Sequence, residues 1–105
     1  MVKLKKITEV LIEVRESALT IDSKESWKKI TKKYDMIIVG EKFNKISTIE
    51  LGHSLKSTYN YEIANDEILE LVPRACKELG MKTGEMRLLK EKDPRKIDAY
   101  SIDLF

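Results

Sequence analysis

Leu4, Ile7, Leu11, Val14 and Ala18 recur at spacings of three and four residues, with Val10 beside them and Lys6, Glu9, Glu13 and Glu16 between. That period places an apolar stripe on one side of a helix from about Lys3 to Leu19, and the stripe needs a covering surface, either its own domain or a second copy. A second helix is predicted to begin after Asp22 or Ser23. Either residue can accept from free first-turn amides, and Glu25 stands three places past Asp22 as in a capping box. Trp27, Ile30 and Tyr34 form its inward stripe. Met36-Ile37-Ile38-Val39, an apolar run between Asp35 and Gly40, reads as a short buried strand.

Ser47 and Glu50 supply a cap and its reciprocal partner for a helix from about Thr48 to Ser57, with Ile49, Leu51 and Leu55 as its apolar side and Gly52 as its weak point. Ser57-Thr58-Tyr59-Asn60-Tyr61 interrupts that pattern. Asn65 is then expected to cap a fourth helix whose first turn carries Asp66 and Glu67, where the helix dipole favours acids, and Gly80 stops it. Ile68, Val72, Ala75 and Leu79 line the expected inner face of that helix, and Glu67, Glu70, Arg74 and Lys77 the outer one. Pro73 inside it removes a hydrogen bond and crowds the preceding turn, which costs about 3 kcal/mol or a bend. Beyond Gly84, Met86 to Glu91 and Ile97 to Phe105 flank the turn-prone Lys92-Asp93-Pro94-Arg95-Lys96. The second arm largely alternates, so a C-terminal β-hairpin is predicted.

The expected fold is therefore mostly α with a small β-hairpin, an α+β class. At 105 residues the chain is the size of one domain, with residues 1–22 as an N-terminal helix and 23–105 as the body. Lys+Arg 20 and Asp+Glu 18 nearly cancel, so attraction to a polyanion must come from a local patch rather than from the whole molecule. Charged residues make up 36% of the chain, above the usual quarter; Gln is absent while Glu and Lys abound, a balance that matches heat-adapted proteins. Cys76 is the single cysteine and cannot form an internal bridge; its apolar neighbours predict a buried thiol. The charged N-terminal segment has no apolar signal-like core, and no run approaches a membrane span, so a cytoplasmic location is expected.

From Trp27 to Phe105 the order helix, short strand, helix, turn, helix, hairpin resembles a winged helix-turn-helix. The stretch Thr48-Ile49-Glu50-Leu51-Gly52-His53-Ser54-Leu55-Lys56, then Lys77-Glu78-Leu79-Gly80 and a hairpin with Tyr100, is similar to the winged-helix tails of phage and plasmid primase-helicases. The resemblance implies a recognition helix beginning at Asp66 and a wing at the hairpin tip. Pro73, Glu67 and Glu70 depart from what such a helix needs, because exposed carboxylates repel phosphates.

The residues that point to chemistry are mostly basic. Lys24, Lys28, Lys29, Lys32 and Lys33 crowd one helix with only Glu25 opposing them, and Lys92, Arg95 and Lys96 mark the hairpin tip. With Arg74 and Lys77 they form the candidate contact set for nucleic acid, expected to be double-stranded DNA bound by a small regulator or accessory factor. A homodimer through the N-terminal helix would then present two half-sites. The alternative is a protein-interaction module using that helix or Tyr59-Asn60-Tyr61. His53, the single histidine, has no second ligand nearby for a metal, and Cys76 has no placed base. The glycines are too sparse for a phosphate-binding loop. Asp35, Glu41, His53 and Glu62 could form an enzyme site only if the fold gathered them, so neither catalysis nor a cofactor is expected.

Overall fold

The N-terminal stripe is covered from within the chain. In the computed structural model, which describes residues 2–86 and 98–105, α1 (Val2–Ala18) buries Ile7, Val10, Leu11, Val14 and Ala18 almost completely. The covering surfaces are α4 (Asn65–Leu79) and, to a smaller extent, α2 (Lys24–Tyr34). α1 and α4 run side by side in the same direction, since Lys3 pairs with Glu67 at one end and Arg15 donates to the Leu79 carbonyl at the other, 3.2 Å away. The arginine thereby meets one of the carbonyls that a helix C-terminus leaves unpaired. Because the stripe is used inside the fold, it is no longer a reason to expect dimerisation.

Each helix boundary has a local cause. Ser23 caps α2, and its reciprocal partner is Ser26, which accepts from the Ser23 amide at 3.0 Å; the box expected from Asp22 and Glu25 is not the one that forms. Ser47 caps α3 (Thr48–Ser57) as expected, but Glu50 does not complete a capping box; its carboxylate accepts from the Ile37 amide at 3.1 Å instead. α4 starts one residue earlier than its sequence pattern indicates. Ala64 is the cap, with no side-chain hydrogen bond, and Asn65 lies in the first turn, leaving Asp66 and Glu67 to satisfy the dipole. Gly80 ends α4 in the left-handed region at φ 72°. The helix runs unbroken through Pro73 and buries Leu71 and Cys76 in addition to Ile68, Val72 and Ala75.

Three antiparallel strands complete the fold in the order β1-β3-β2: β1 (Lys45–Ser47), β2 (Lys82–Met86) and β3 (Ala99–Asp103). β3 is central, with Ile102 opposite both Ile46 and Thr83. Met36–Val39 is not a strand of this sheet. Met36 and Ile38 are buried, Ile37 and Val39 are half exposed, and only Val39 makes a bridge, to Lys45. The strand that forms lies farther along, at Lys45–Ser47. β2 likewise begins at Lys82, earlier than the hairpin pattern indicates, and the hairpin tip with Lys92, Arg95 and Lys96 lies outside the described residues. The architecture is α+β and winged-helix-like, with α1 as the added N-terminal helix.

Candidate nucleic-acid interface

At 3.6 residues per turn, Lys24, Lys28 and Lys32 form one row along α2 and Lys29 and Lys33 another, so together they span about half its circumference. All five are exposed, while Trp27, Ile30 and Tyr34 turn toward the body. The ion pairs of the described residues, Lys3–Glu67, Lys45–Asp103, His53–Asp35 and Arg74–Glu70, leave these five lysines out. Lys33 Nζ stands 5.2 Å above the Tyr34 ring and borders a shallow groove with Glu13 and Glu16 of α1, so the basic surface ends on that side. Lys32 and Lys33 also sit in the last turn, where the helix dipole favours cations.

The margin beside the Lys24–Lys28–Lys32 row is closed by an aromatic pair. Trp27 Nε1 donates to the Ile38 carbonyl at 2.8 Å, and its ring lies 6.2 Å from that of Phe43 at 40°. Phe43 adopts φ 50° in a tight loop in which its amide donates to the Gly40 carbonyl. A left-handed backbone costs a bulky side chain roughly 1 to 2 kcal/mol. The exposed Lys42 precedes Phe43, and Asn44 Nδ2 donates to the carbonyl of the half-exposed Phe105 at 2.7 Å.

α4 offers a different surface. Arg74 and Lys77 are exposed as expected, but α4 carries Asp66, Glu67, Glu70 and Glu78 against these two cations, a net of two negative charges. Arg74 is already 3.9 Å from Glu70. α4 packs on α1, α3 and the sheet, whereas α2 packs on α1, so Arg74 and Lys77 do not extend the lysine row.

Two other polar clusters form. His53 Nε2 lies 2.7 Å from Asp35 Oδ2, which also accepts from the Ser57 hydroxyl at 2.8 Å; those contacts hold the Asp35 carboxyl below its ordinary range. Glu41 and Glu62 do not join this pair: Glu62 lines a separate cleft with Lys56 and Tyr61. Among the described residues no group of three His, Cys, Asp or Glu side chains is placed to hold a metal ion, and no helix is long and apolar enough to cross a membrane. Tyr59 donates to the Glu13 carboxylate, and Lys6 Nζ stands over the rings of both Tyr59 and Tyr61, at 5.1 and 5.8 Å. The aromatic segment is thus spent on holding α1.

Cys76 is 1% exposed, and burial pushes its thiol up to about 11. Because the thiolate is the reactive form, Cys76 is expected to react with a thiol reagent near pH 8 only as fast as the chain unfolds. Rapid labelling of the folded protein would show that the α4 face opens locally.

Sequence patterning identifies the lysine row but not the aromatic margin. Trp27 and Phe43 are distant in the chain, and a positive φ at phenylalanine leaves no compositional trace. Comparison with protein-family models, curated proteins and solved structures finds no match.

Proposed function

We propose that this chain is a small nucleic-acid-binding protein, a DNA-binding regulator or accessory factor, that holds the phosphate backbone on the exposed half of α2. The observation that carries this function is the set of five exposed lysines in two rows on one helix, outside every ion pair of the described residues. Backbone contacts of this kind supply affinity without reading sequence. The order α2-β1-α3-α4-β2-β3 with β3 central supports membership of the winged helix-turn-helix superfamily, in which α4 would be the recognition helix. The net negative charge of α4 opposes deep insertion into a groove, so weak sequence preference follows.

Anisotropy titration of labelled DNA at several salt concentrations tests this directly. Affinity is expected to fall steeply between about 50 and 200 mM salt, and combined Lys28→Glu, Lys29→Glu, Lys32→Glu and Lys33→Glu substitution is expected to abolish binding. These side chains are exposed, so the variant's melting temperature should stay close to that of the parent. Absence of binding by the parent at the lowest salt would rule the proposal out.

One observation favours a protein partner instead. Ile37 and Ile49, half exposed, bound a shallow pocket of about 340 Å³ with Met36, Glu50 and His53. An interaction module working there would keep its partner after the charge reversal on α2 and lose it on Ile49→Asp.

A further inference from the structure

We infer that the nucleic acid held by α2 is single-stranded, and that Trp27 and Phe43 form a platform on which an unpaired base stacks. This deepens the phosphate-binding function above and rests on it. A duplex keeps its base faces within its own stack and offers a protein mainly phosphates and groove edges. A single strand exposes every base face, and proteins that take single strands combine a basic track with aromatic rings beside it. Both parts occur here: the lysines and Trp27 share α2, and Phe43 lies against Trp27. The Lys24–Lys28–Lys32 row runs along the margin where the partly exposed Trp27 and Phe43 rings lie 6.2 Å apart.

Two further observations point the same way. Phe43 holds φ 50°, a backbone conformation that glycine or asparagine adopts more readily, yet the position carries a large flat ring. The strained loop holds this ring partly against the core and partly exposed beside Trp27. The net negative charge of α4, four carboxylates against Arg74 and Lys77, also disfavours a duplex, whose groove is flanked by phosphates.

The test compares labelled oligothymidylate with a mixed-sequence duplex of equal length, using the full chain. Trp27 is the single tryptophan, so its emission reports directly on the platform. The single strand is expected to bind at least about tenfold more tightly than the duplex and to quench Trp27, as base–aromatic stacking does. Phe43→Gly keeps the positive φ without strain and removes the ring; it should weaken single-strand binding by about five- to fiftyfold and leave duplex binding unchanged. Phe43→Tyr keeps a stacking ring and should retain parental affinity, which separates loss of stacking from loss of the loop. Equal or tighter duplex binding, with Trp27 emission unmoved and Phe43→Gly without effect, would overturn the stacking platform while leaving phosphate binding by α2 intact. Binding to neither probe would overturn both.

Discussion

Leu11→Ala is expected to remove about 2 to 5 kcal/mol of folding stability, enough to leave a protein of this size near its unfolding threshold. Leu11 is completely buried at the middle of α1, in the cluster that holds Ile68, Val72 and Ala75 of α4. Truncation there leaves a cavity that two helices aligned along their full length cannot close without moving apart. Leu19→Ala, one residue past the end of the stripe at Ala18 and 59% exposed, is expected to change stability by less than about 0.5 kcal/mol. Urea denaturation followed by circular dichroism separates the two variants. A loss below about 1 kcal/mol for Leu11→Ala would mean that Leu11 is not packed on α4, and a stability that rises with protein concentration would mean that a second copy covers α1.

What the chain reveals from its pattern alone follows the range of the interactions involved. α1, the Ser47 cap and the Gly80 stop are set by neighbours within a turn, and each is found where the spacing places it. Reciprocal capping by Ser26 in place of Glu25 turns on which side chain reaches the Ser23 amide, a matter of geometry more than of residue class. β1 is harder to see because three residues, only one of them strongly apolar, become a strand by pairing with β3 at the far end of the chain. The more apolar Met36–Val39 run leaves Ile37 and Val39 half exposed, so its hydrophobicity alone misassigns it. In the candidate interface the lysine row is a helical-wheel property and legible at once. Its closure by Phe43 depends on the tight turn from Gly40 and on a tryptophan brought in by tertiary packing. Arg74 and Lys77 are exposed cations, as their spacing indicates, and the opposing carboxylates on the same helix are equally legible in the sequence.

Pro73→Ala is expected to stabilise the protein. Pro73 lies in the interior of α4, where it has no amide to donate to the Leu69 carbonyl and its ring crowds that carbonyl, a combined cost of about 3 kcal/mol. Against this, proline restricts the unfolded chain, so replacing it forfeits roughly 0.4 to 1 kcal/mol. The ring is also partly buried, and some contact is lost with it. The balance is a gain of roughly 1 to 2 kcal/mol, read as a rise in melting temperature of about 4 to 16 °C at the usual sensitivity of small domains. A fall in melting temperature would show that the Pro73 ring contributes packing greater than the hydrogen bond it displaces. Measuring DNA binding on the same variant extends the result to function. If α4 stiffens and affinity is unchanged, α4 is scaffold for the lysine row on α2. If affinity drops while stability rises, a strained α4 takes part in binding, the exchange of stability for function seen where a site is held under strain.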